Sequence, residues 1–147
     1  MNFRMAPNNP PDEVARLADE ENEPPRMSAW NGCIRFGLEV AAVVGIAHFG
    51  YVIGPSKWSK VILAIVMSLA AVISWVAFNV PNDPSRGGSA PIPVRGVTRL
   101  GVELAILGFG GYTLGVWNPV VGVIYGGLGI LHYVSYRSRI WWLLYQN

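Results

Sequence analysis

The chain has 147 residues, of which 52% are hydrophobic and only 14% charged, with a formal net charge of +2. The mean hydropathy is positive at +0.35, which argues against a soluble enzyme domain, and the small net charge argues against a nucleic-acid binder. One cysteine excludes an intramolecular disulfide, and two histidines are too few for a Cys/His metal cluster.

Residues 1–29 read as an acidic tail. They hold six of the nine acids and three arginines, whereas the rest of the chain holds eight cations and only Glu39, Asp83 and Glu103. Five prolines bracket a polar stretch too poor in large apolar groups to offset the entropy of ordering, so disorder is expected here.

Residues 30–147 read as a membrane domain of all-α class. Four long apolar runs, 30–52, 58–80, 97–116 and 119–136, are each near the length of helix that a bilayer core requires. None alternates with period two, which disfavours strands. Short turns at 53–57 and around Trp117–Asn118 flank a longer loop at 81–96. The expectation is a four-transmembrane-helix bundle built from two tandem helical hairpins. Pro55 and Pro119 fall where helices stop or start.

Orientation follows from Lys and Arg near the run ends. Arg26, Arg86, Arg95, Arg137 and Arg139 share one face and only Lys57 and Lys60 lie on the other. That bias predicts a multi-pass protein of the cell membrane with both termini cytoplasmic. Residues 137–147 mix two arginines with Trp141, Trp142 and other apolar residues, the pattern of an interfacial tail.

The first and third runs open on a repeat. Placing 31–41 over 95–105 gives five identities in eleven positions, among them Arg35 with Arg99 and Glu39 with Glu103. In each copy the arginine and glutamate are four residues apart, on one helix face. Glu39 lies about 13 Å along the helix from Trp30, and an unpaired charge at such depth costs roughly 2.5–3.5 kcal/mol. Pairing is therefore expected, in one of two arrangements, with a water-filled or subunit-interface setting as the remaining alternative. One is a local pair within each helix. The other is a buried cluster in the bundle centre, Arg35 with Glu103 and Arg99 with Glu39. Asn31 and His132 are candidate partners of the acids, because His132 returns on the fourth helix to the depth of Arg35. Gly37, Ala41 and Gly45, echoed by Gly101, Ala105 and Gly108, and the pair Gly122 and Gly126, form stripes suited to close helix packing.

In the middle loop, Asp83-Pro84 and Gly87-Gly88 are turn formers, and Pro91 and Pro93 stiffen the path back. Asp83, Arg86 and Arg95 are candidate contacts either to a lipid phosphate or to one another as a cap on the bundle.

These residues also carry a resemblance. The stretch from Phe78 through Pro84-Ser-Arg86, Ala90-Pro91, Pro93 and Gly96 to Arg99-Leu-Gly-Val-Glu103, with Asn31, Arg35-Phe and Glu39, resembles the YrdB family of small membrane proteins over about residues 28–147. The resemblance implies four spans and brings no established activity.

No Ser–His, Cys–His or metal-ligand spacing converges at one depth. The expectation is a protein without enzymatic activity, cofactor or metal. Its partners would be membrane lipid and either a second copy or another membrane protein, and not nucleic acid. The competing expectation is a small proton- or cation-linked carrier or channel using Glu39 and Glu103.

Overall fold

A computed structural model of the chain describes residues 27–81, 83 and 90–145. The acidic tail up to residue 26, Arg86 and residues 87–89 lie outside the described residues. Among the described residues the fold is all-α, with five helices: α1 Ala29–Ile53, α2 Lys57–Ala77, α3 Gly96–Trp117, α4 Pro119–Ser135 and α5 Arg137–Tyr145. Three of them, α1 to α3, are long and apolar enough to cross a membrane, or up to four if α4 and α5, bent by 66° at Tyr136, count as one span.

The helix starts follow from local chemistry. Ser28 accepts a hydrogen bond from the Asn31 amide, and Ser56 and Ser59 form a reciprocal capping box at the head of α2. Asn118 accepts from the amides of Val120 and Val121, and Pro119 follows at the first helical position, where its missing N–H costs nothing. Ser28 caps α1 and Ala29 is its first residue, so the helical body begins a residue ahead of the boundary expected at 30.

Two ends differ from expectation. The run 58–80 does not stay helical throughout: α2 ends at Ala77, and Phe78–Asn79 pairs in parallel with Ile92–Pro93 as a two-residue ladder. Arg99 provides the reason. Its Nη1 donates to the carbonyls of Trp75 and Phe78 at 2.9 and 3.0 Å, satisfying acceptors that the end of a helix leaves open. The second difference is at the C-terminus. The expected interfacial tail is a helix, α5, with one face docked: Arg139 and Leu143 are buried, while Trp141, Leu144 and Tyr145 remain exposed. Gly96 admits this docking, because a Cβ there would collide with the Leu143 carbonyl.

α1 and α3 form the middle of the molecule. α1 packs on α2, α3 and α4, and α3 packs on α2, α4 and α5. The shared core is Leu38, Ala42, Trp75 and Leu107, with Ile34, Ile106, Tyr125 and Tyr133 against it. Outward-facing side chains are apolar instead: along α2, for example, Ile62, Ile65, Val66, Leu69 and Ile73 are all exposed. This inversion of the soluble pattern follows if the surrounding solvent is hydrocarbon.

The small-residue stripes serve close approach only in part. The crossing of α1 and α3 runs through Gly110, where an added Cβ would stand 2.5 Å from the Ala42 Cα, and through Gly45 opposite the Gly110 carbonyl. Gly37, Gly101, Gly108 and Gly126 face open space. Gly110→Val is therefore expected to lower stability by about 1–3 kcal/mol through overpacking, and Gly108→Val to leave it unchanged. Thermal melting of both variants in detergent checks this, and equal melting temperatures would contradict the crossing.

Candidate functional site

The strongly polar side chains gather at one end of the helices, where α1 and α4 meet the starts of α3 and α5. Glu103, on α3, is the hub and is fully buried. Arg35, on α1, donates from Nη2 to Glu103 Oε2 at 3.2 Å and from Nε to Glu39 Oε1 at 2.9 Å. Arg139, on α5, donates to both oxygens of Glu103 at 3.2 and 3.1 Å. It also forks onto Asp83, at 2.8 Å from Nη2 and 3.4 Å from Nε. The Tyr133 hydroxyl donates to Glu103 Oε1 at 3.1 Å. Glu39, Arg35, Glu103, Arg139 and Asp83 thus form one continuous chain of ion pairs.

The local geometry explains this convergence. Glu103 stands four residues past Arg99 on α3, so both face inward. Arg139 and Leu143 stand four apart on α5 and are the two residues it buries. Trp75 supplies an aromatic surface beneath two of the guanidinium groups, with Arg35 Cζ at 5.7 Å and Arg99 Cζ at 5.0 Å from its ring centre.

Of the residues singled out in sequence, Arg35, Glu39 and Glu103 come together directly. Arg35 serves both arrangements at once, as the local partner of Glu39 and the cross-helix partner of Glu103. Arg99 is buried in the same layer, with Nη1 on the carbonyls that end α2. Asn31 and His132 are buried beside the cluster and bind each other, His132 Nδ1 to Asn31 Oδ1 at 2.6 Å. The two candidate partners of the acids are thus partners of each other through the His132 Nδ1. Asp83 is completely buried on Arg139. Arg95 is exposed at the N-cap of α3 with no side-chain cap bond, and the expected Asp83–Arg86 contact lies outside the described residues. His48 stacks on Trp117, ring centres 4.4 Å apart, far along α1 from the cluster.

Arg139 and Tyr133 are the members that sequence reading missed. The signal for Arg139 was the scarcity of acids in the basic body: Asp83 needed a long-range partner, and the i,i+4 pair Arg139/Leu143 gives α5 one inward face.

With the fold and cluster defined, the chain falls in a class of small all-α proteins with a charged core and apolar flanks. Residues 33–130 match the family described as protein of unknown function (DUF2568). The chain is also 37% identical over 122 residues to "Uncharacterized protein YrdB" of Bacillus subtilis (strain 168), covering 82% of this chain and 98% of that protein. The chain belongs to this YrdB-like family. No solved structure matches it.

Removing Arg139 would take a guanidinium away from two buried carboxylates, Glu103 and Asp83. Arg139→Gln is expected to cost about 3–5 kcal/mol, and Arg137→Gln, at an exposed position two residues away, to cost less than about 0.5 kcal/mol. Equal melting curves for the two variants would show that the α5 contact contributes nothing.

Proposed function

We propose that this is a non-enzymatic, multi-pass integral membrane protein of the cell membrane, whose Arg/Glu network fixes helix packing and whose remaining surface contacts lipid or a partner. In this reading α1 to α4 are four spans arranged as two tandem hairpins, with the repeat at 31–41 and 95–105 opening each. The observation that carries the proposal is the inversion of polarity. Arg35, Glu103, Arg139 and Asp83 are turned inward and tied to one another, and the outward faces of the long helices are apolar. The near approach of Gly50 to the Leu63 backbone and of Gly122 to Gly115 supports antiparallel pairing across each short turn.

Both termini are proposed to be cytoplasmic. With Arg139 committed to the buried network, Arg26, Arg86, Arg95 and Arg137 still outnumber Lys57 and Lys60 on the opposite face. Reporter fusions at Asn147 and Ser56 are expected to read cytoplasmic and external respectively, and an external signal from Asn147 would sink the topology.

The carrier reading draws on one observation: Glu39 keeps 26% of its side chain exposed. Proteoliposomes separate the two. A structural network predicts that Glu103→Gln melts well below the parent, is partly restored by adding Arg35→Gln, and that the parent passes no more protons than protein-free vesicles. Proton flux abolished by Glu39→Gln would establish the carrier instead.

A further inference from the structure

α3 has 22 residues and α4 only 17, and the contacts of Gly115 with Gly122 and of Glu103 with Tyr133 set the two side by side from the turn at Asn118. At about 1.5 Å per residue, α4 therefore stops about 8 Å short of the start of α3. α5 fills that gap from the side. It turns 66° away from α4, Arg139 meets Glu103, and Leu143 lies against Gly96. The helix thus passes along the flank of the first two turns of α3, and the face opposite its buried residues looks sideways. That face carries Arg137, Trp141, Leu144 and Tyr145, all exposed, with the Trp141 and Tyr145 rings stacked 6.4 Å apart. It follows directly in the chain on Ile130 and Val134, exposed apolar residues in the last turns of α4.

Charge and depth identify the occupant. In the buried layer Arg35, Arg99 and Arg139 balance Glu39, Asp83 and Glu103, three against three. Two exposed cations stand outside that balance: Arg137 at the start of α5, and Arg95 beside the glycine that Leu143 covers. α4 ends about 25 Å from its start, within about 5 Å of the thickness of a bilayer's hydrocarbon. The inference rests on the membrane reading proposed above, under which α5 lies at the level of the headgroups. Its outer face calls for an occupant that is anionic and apolar at once. A phospholipid of net negative charge meets both demands, its phosphate on the arginines and its glycerol and upper chain carbons against Trp141, Leu144 and Tyr145. A zwitterionic lipid brings a cation of its own to the same arginines. The acidic N-terminal segment offers carboxylates but is poor in the large apolar groups that the aromatic half of the face would cover.

We propose that the outer face of α5, together with Arg95 and Arg137, binds anionic phospholipid of the adjoining leaflet.

The test is native mass spectrometry of the full chain released from a non-ionic detergent, titrated with phosphatidylglycerol or phosphatidylcholine of the same acyl chains. The dissociation constant of the first bound phosphatidylglycerol is expected to be at least about fivefold the tighter of the two, the worth of about one cation at an anionic surface. The double variant Arg95→Gln/Arg137→Gln should bring the two lipids level. Lys57→Gln/Lys60→Gln, at the opposite end, should leave the preference unchanged, and Trp141→Ala should weaken both lipids while keeping their ratio. No preference in the parent overturns the proposal, as does a preference that survives the arginine changes or falls equally with the lysine changes. If the double arginine variant elutes as aggregate, Arg137→Gln alone decides by the same ratio. Failure of the membrane reading looks different: the chain would then stay monodisperse in water without detergent, whatever its choice of lipid.

Discussion

Burial of the Glu103 carboxylate is the constraint on which the rest of this end of the molecule depends. A carboxylate removed from water loses several kcal/mol of solvation, and only well-placed donors return it. Glu103 receives Arg35 from α1, Arg139 from α5 and the Tyr133 hydroxyl from α4. One side chain thereby fixes the relative placement of four helices, since each donor must sit within about 3 Å of the same two oxygens. Such a cluster gives register more than net stability. Apolar packing could hold helices together as firmly, but would not select one rotation of each helix over its neighbours.

Much of this was legible in the chain because it rests on short-range rules. The helix starts follow from Ser28, Ser56 and Asn118-Pro119, and the inward face of α3 from the four-residue spacing of Arg99 and Glu103. Long-range partners were less legible. Asp83 and Arg139 are 56 residues apart, and nothing in the sequence near either names the other. The end of α2 was also hidden, because Phe78-Asn-Val80 continues the apolar run. The helix stops there through a donor supplied by Arg99, 21 residues beyond Phe78. The glycines mislead for a related reason. Gly101 and Gly108 share their spacing with residues that truly pack, but spacing assigns a face and only the neighbouring helix decides whether that face is occupied.

The segments 31–41 and 95–105, identical at five of eleven positions, place their arginines in unequal roles. Arg35 and Arg99 occupy matching positions, yet Arg35 reaches two carboxylates and Arg99 reaches the carbonyls that end α2. The difference arises where α2 and α4 end. α2 ends in a two-residue ladder that leaves carbonyls for Arg99 to bind. α4 instead runs through Tyr136 into α5, which brings Arg139 against Glu103. Glu103, unlike Glu39, is fully buried, and Arg139 adds a second guanidinium to its carboxylate beside Arg35.

The two ends of the molecule are consequently held by different physics. At the network end, directional bonds between charges tie α1, α3, α4, α5 and Asp83 together. At the opposite end the contacts are steric: Gly54 lies against the Lys60 backbone, Gly122 against Gly115, and His48 on Trp117. Steric contacts between small residues weaken gradually as helices separate, whereas a buried ion pair tolerates little displacement before a charge is stranded. The ionic end therefore sets the rotation and register of the helices more narrowly than the short-turn end does.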